Sequence, residues 1–218
     1  MKALKRMAYA IIFVAILSSG NLVNAQEKVL IDNFEEGRSE KWATKSFHNE
    51  TVYETVTYGD GNVLQATSNG SASCLIFERE FDINEYPILT WRWKVENTVE
   101  RGDFRQKSTD DFAARVFVMF PHWYFPKTTS VNYIWSNLMP KEEIHPSVHV
   151  GNAVMIAVES GKRKVGEWVE YKRNIVEDYR RAFGKNPPRK AMIAIMTDTD
   201  NTGDIARAWY DDIYLMRQ

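Results

Sequence analysis

The chain of 218 residues carries 28 Lys and Arg against 29 Asp and Glu, a formal net charge of −1, and 44% of its residues are hydrophobic. That balance offers no basic stripe of the kind nucleic-acid binding needs. Cys74 is the only cysteine, so an intramolecular disulfide is excluded and stability has to come from an apolar core.

Lys2, Lys5 and Arg6 precede an apolar run from Met7 to Leu17, and small and polar residues then lead to Val23-Asn24-Ala25. The run is shorter than the roughly 20 residues of a membrane span, and Ala25 is a suitable small residue for cleavage. Residues 1–25 are therefore expected to be a signal peptide, the protein to be periplasmic or secreted, and no transmembrane segment to be left after cleavage. Loss of the three basic residues takes the formal charge from −1 to −4. Residues 26–218 suit one domain with a sizeable core.

Beyond residue 26 the chain is a series of short apolar segments broken by turn residues. Strands are expected over 52–57, 63–67, 74–81, 88–95, 113–120, 131–135, 153–159, 167–173, 191–197 and 206–215. Between them stand Gly59-Asp60-Gly61, Ser68-Asn69-Gly70, Ser160-Gly161 and Asn201-Thr202-Gly203, which favour turns. One segment departs from period two: Ile175, Tyr179 and Phe183 recur at helical spacing after a capping Asn174 and before Gly184, with Pro187-Pro188 just beyond. It predicts one short amphipathic helix over 175–183. The pattern is that of a mostly β, two-sheet sandwich.

Alternation divides the faces. Trp91, Trp93 and Val95 share one face of their strand and are expected in the core, leaving Arg92 and Lys94 on the other. Phe112, Ala114, Val116, Val118 and Phe120 likewise share a core face, so Arg115 falls on an outward or concave one. Cys74, within Cys74-Leu75-Ile76-Phe77, reads as a buried small hydrophobe.

Asp103 and Asp110-Asp111 precede the strand that carries Arg115, and an arginine near carboxylates can organise a pocket for a hydroxyl-rich ligand by paired hydrogen bonds. A plain turn followed by an ion pair is the competing reading. Thr197-Asp198-Thr199-Asp200-Asn201-Thr202-Gly203-Asp204 has oxygen side chains at alternate positions, as hard cations prefer, but the twelfth position counted from Asp198 is Trp209 rather than Glu. An EF-hand is excluded; a calcium loop of another kind and a polar hairpin turn both stay open. Arg92, Asp110, Asp111, Arg115, Asp198 and Asp200 form the candidate ligand site.

His48, His122, His145 and His149 show no metal-ligand spacing, and no nucleophile elbow, P-loop or dinucleotide fingerprint occurs. Phe120-Pro121-His122-Trp123-Tyr124-Phe125-Pro126 concentrates rings in an expected loop, either to stack on sugars or to plug the core.

Trp91-Arg92-Trp93-Lys94, Asp110 to Val116, Tyr133-Ile134-Trp135, Glu177 to Gly184, Thr197 to Gly203 and Tyr210-Asp211-Asp212-Ile213 together resemble the family catalogued as domain of unknown function 3047. Its name records that no activity is established, so the resemblance carries no catalytic residues over to this chain. More loosely, Ile31-Asp32-Asn33-Phe34-Glu35-Glu36-Gly37 with Trp42, and the closing Tyr210 to Ile213, resemble the ends of galactose-binding-like jelly-roll domains. That likeness implies a jelly-roll-like sandwich whose first and last strands pair, which would bring Asp32, Glu35 and Asp212 to one structural calcium.

The expectation is a non-catalytic glycan or polar-ligand binding module of the cell envelope. Two alternatives stand beside it: an envelope interaction or assembly protein without a small ligand, and a carboxylate-dependent polysaccharide-active enzyme.

Overall fold

The computed structural model describes residues 27–218, so the signal segment expected over residues 1–25 lies outside the described residues. In chain order the strands are β1 (Lys28–Asp32), β2 (Trp42–His48), β3 (Val52–Tyr58), β4 (Gly61–Asn69), β5 (Ala72–Phe77), β6 (Phe81–Asp82) and β7 (Ile88–Val95). They continue with β8 (Ala114–Phe120), β9 (Thr129–Ser136), β10 (Ile144–Pro146), β11 (Ala153–Ser160) and β12 (Val169–Asn174). The helix α1 (Ile175–Phe183), β13 (Lys190–Asp198) and β14 (Ile205–Met216) complete the fold. No helix among the described residues is long and apolar enough to cross a membrane.

The strands form two sheets. The smaller runs β12-β7-β14-β4-β3 with β1 added on β14, and the larger runs β10-β11-β9-β8-β13-β5-β2 with β6 added on β13. Pairing is antiparallel except between β9 and β11, which run parallel. The first and last strands do pair, Lys28 lying opposite Met216.

Alternation explains why the sheets face each other. Trp91, Trp93 and Val95 of β7 are fully buried, as are Val116 and Val118 of β8, and they belong to one apolar cluster. Trp91 stacks on Tyr133 of the opposite sheet at 5.2 Å, and Trp93 meets Trp135 at 6.3 Å. Each ring of this size removes about 150–250 Å² from water, worth about 4–6 kcal/mol at most. The two-sheet, jelly-roll-like sandwich expected from the sequence is the fold observed.

The helix also forms where its spacing predicts. The Asn174 side chain accepts hydrogen bonds from the Val176 and Glu177 N–H groups, and Gly184 closes the last turn at φ 66°. Ile175 and Tyr179 are buried, and Tyr179 packs its ring 4.8 Å from Phe120.

Three differences have physical causes. The strand expected over 74–81 stops at Phe77, because Glu78-Arg79-Glu80 is exposed and charged, and resumes as β6 against β13. The strand β2 escapes a periodicity reading because Trp42 alone among its residues is buried. In β14 a bulge between Asp211 and Tyr214, with Asp212 at φ 50°, breaks the alternation, so both Asp211 and Asp212 reach Arg92.

Candidate functional site

Arg115 points to the outer face of the larger sheet, as alternation requires, yet it is only 7% exposed. The segments on either side of β8 and β9 fold back over that face. Phe104, Phe112 and Met139 from those segments cluster with Ile134, Met155 and Ala157 of the sheet. The guanidinium lies 4.9 Å from the ring centre of Phe112 and 5.0 Å from that of Phe117. Its NH1 donates to Asp198 Oδ2 at 2.8 Å. Arg115 pairs with Met196 across β8 and β13, so Asp198 is the next outward residue along the neighbouring strand.

Asp111 ties down the turn between β13 and β14. It accepts from the Asn201 backbone and side-chain N–H groups at 3.3 and 3.0 Å and from the Thr202 N–H at 2.6 Å. The same turn is held from behind by Thr199, whose hydroxyl meets Ser68 Oγ at 2.7 Å and accepts from the Gly70 N–H. Carboxylate oxygens of Asp111, Asp198 and Asp200 consequently lie within 4.8 Å of one another. Asp110, 2% exposed, turns one oxygen toward His149 Nε2 at 3.6 Å.

Burial pushes the Asp198 carboxyl up to about 8; Arg115 opposes this, and the neighbouring Asp111, Asp110 and Asp200 add to it. Asp110 is raised by burial against the pull of Arg115 and His149, and Asp200 is raised by burial and by Asp111. Like charges crowded in a low-dielectric site retain protons or take a cation. Four buried side-chain atoms here find no hydrogen-bond partner in the protein: Asp110 Oδ1, Arg115 Nε, Asn132 Oδ1 and Asp198 Oδ1. Asn132, paired with Phe117 across β8 and β9, faces outward on the same face as Arg115, whose own partner is Ile134.

Of the six ligand-site residues expected from the sequence, Asp110, Asp111, Arg115, Asp198 and Asp200 gather at this place. Arg92 does not: it lies on the smaller sheet, bonded to Asp211 and Asp212 and stacked 4.8 Å from the Trp168 ring centre. Asn132 and His149 were not anticipated; a lone Asn at an outward position between Val131 and Tyr133 was the available signal for the first.

Asp32, Glu35 and Asp212 are engaged separately. Asp32 accepts from the N–H groups of Phe34 and Ser39 and from Trp42 Nε1, Glu35 accepts from the Asn62 N–H, and Asp212 pairs with Arg92 at 2.9 Å. Among the described residues the grouping of acid oxygens within ligand distance is the Asp111, Asp198 and Asp200 set instead. Trp123, 91% exposed, and Tyr124, 50% exposed, project from the turn after β8 and do not plug the core. Cys74 is buried, which pushes its thiol up to about 11, so it serves packing.

The sequence matches the family described as Protein of unknown function (DUF3047) over residues 40–214. The chain belongs to that family. No curated protein matches the sequence. Among solved structures, the family member resembles the family 30 carbohydrate-binding module of a cellulosomal cellulase of Clostridium thermocellum at 13% identity and TM-score 0.46, covering 82% of this chain and 92% of that one. It resembles the family 11 carbohydrate-binding module of Clostridium thermocellum, in complex with a mixed-linked tetrasaccharide, at 12% identity and TM-score 0.45, covering 87% and 95%. The enzymatically active domain of bacteriophage CBA120 tailspike protein 4 matches at 10% identity and TM-score 0.45 over 86% of this chain, which spans 21% of that protein.

Proposed function

We propose that this protein is a non-catalytic binding module of the cell envelope that takes a glycan or another hydroxyl-rich ligand on the outer face of the larger sheet, at Asp110, Arg115 and Asn132. The observation that carries this reading is the unspent bonding capacity of Asp110 Oδ1, Arg115 Nε and Asn132 Oδ1, all buried. A buried polar atom without a partner costs about 1–3 kcal/mol. Two of these atoms accept and one donates, a mixture that hydroxyl groups, which do both, satisfy. The His149 side chain, 40% exposed beside Asp110, forms the rim through which a ligand would enter. The envelope location is supported by the basic, apolar and small-residue zones of residues 1–25.

Native affinity electrophoresis through gels containing envelope polysaccharides tests the reading. Retardation of the protein is expected, with each of Asn132→Leu and Asp110→Leu weakening it by about tenfold, the value of one lost hydrogen bond. Equal retardation of both variants, with folding verified by circular dichroism, would reject the site. Release of new reducing ends would transfer support to a carboxylate enzyme. A second reading, an interaction or assembly protein without a small ligand, draws on the exposed Trp123 and Tyr124. It gains if no polysaccharide retards the protein.

A further inference from the structure

Three acids from two separate segments converge beside Arg115: Asp111 precedes β8, Asp198 ends β13 and Asp200 lies in the following turn. Their oxygens lie within 4.8 Å of one another. Asp198 is 2% exposed; its Oδ2 takes the bond from Arg115, while Oδ1 has no partner in the protein. A buried carboxylate oxygen without a protein partner, on an acid grouped with two others, has lone pairs to offer a ligand. Asp200 is half-buried, which gives the set a route to solvent.

We propose that Asp111, Asp198 and Asp200 bind one calcium ion. Three carboxylates and the guanidinium of Arg115 leave two negative charges, and the buried Asp110 close by adds to them, an excess that a divalent cation offsets. All the donors are oxygens, as a hard cation requires, and calcium accepts six to eight such ligands at about 2.3–2.6 Å in variable geometry, so backbone oxygens and water can complete a set of three carboxylates. Magnesium demands near-octahedral geometry and gives up its water reluctantly, so it fits such a set less well. The ion would join the segment before β8 to the β13–β14 turn across the site. This inference stands on the acid cluster and is independent of whether a glycan binds.

After chelation and removal of the chelator, the full protein is titrated with calcium, magnesium and manganese, followed by calorimetry and thermal unfolding. Calcium is expected to raise Tm by about 5–10 °C at a hundredfold excess over its Kd, magnesium less. Asp200→Asn, at a half-buried position bonded to Asn201 Nδ2 and to Asp111, is expected to fold without the ion and to lose the shift. Asp198→Asn keeps an acceptor for Arg115 and is expected to lose it as well. No heat and no Tm change up to about 10 mM calcium, beyond the range of weak extracellular sites, would overturn the proposal. So would an undiminished shift in both variants, which would place the ion elsewhere. Polysaccharide retardation is read separately, so its failure leaves this test intact.

Discussion

Replacing Arg115 by methionine keeps most of the side chain's packing and deletes its charge, in a place where Arg115 is 7% and Asp198 2% exposed. The 2.8 Å ion pair is then broken from one side, which costs about 3–5 kcal/mol when the remaining charge is buried and cannot escape. Loss of the contacts to the Phe112 and Phe117 rings adds about 0.5–2 kcal/mol each. The pH dependence is the sharper signature. Asp198 is already pushed up to about 8, and without Arg115 it rises further. Near pH 5 the carboxyl is protonated in both proteins, so the variant loses chiefly the hydrogen bond, about 0.5–1.5 kcal/mol, and the two ring contacts, together about 1.5–5.5 kcal/mol. Near pH 9 the variant must either ionise a buried acid beside three others or hold a proton against solvent, and the ion-pair penalty of about 3–5 kcal/mol replaces the hydrogen-bond term and comes on top of the lost ring contacts. Urea unfolding followed by tryptophan fluorescence, in chelator and at both pH values, measures the difference. A destabilisation under about 1 kcal/mol at the higher pH, or one equal at both, would refute the electrostatic account of the site.

In the unmodified protein, again in chelator, Asp198 is raised above its unfolded value. The folded state therefore keeps a proton that the unfolded chain releases, and stability is expected to fall as pH rises from about 4 to about 8; a urea midpoint that climbs over this range would contradict the shift. Asp178→Ala should destabilise by about 3–5 kcal/mol, since this buried acid accepts from Tyr133 at 3.0 Å and from Arg173 at 2.8 Å and joins α1 to both sheets; denaturant midpoints decide it. Trp123→Ala, at 91% exposure, is expected to leave stability within about 0.5 kcal/mol, and a larger thermal shift would mean the loop packs.

Much of the fold was legible because its causes are local. Period-two alternation told Trp91 and Trp93 from Arg92, and the Asn174 and Gly184 caps bounded the helix, since each depends on backbone geometry within a few residues. The candidate site was legible in its residue types but not in its assembly. Arg115 and Asp198 are 83 positions apart and meet only because β8 pairs with β13. The burial of Arg115 was hidden, because alternation fixes which face a side chain leaves by and cannot register that Phe104, Phe112 and Met139 come back to cover it. The grouping of Arg92 with this site failed because nothing local says which sheet a strand joins. Asp211 and Asp212 converge on Arg92 through a bulge that only the pairing of β14 with β7 reveals. The sequence by itself determined most of the elements, the core faces and the acids available. Tertiary structure alone decided which acids crowd together and which polar atoms are left without partners, because both depend on strand pairing and loop coverage between distant parts of the chain.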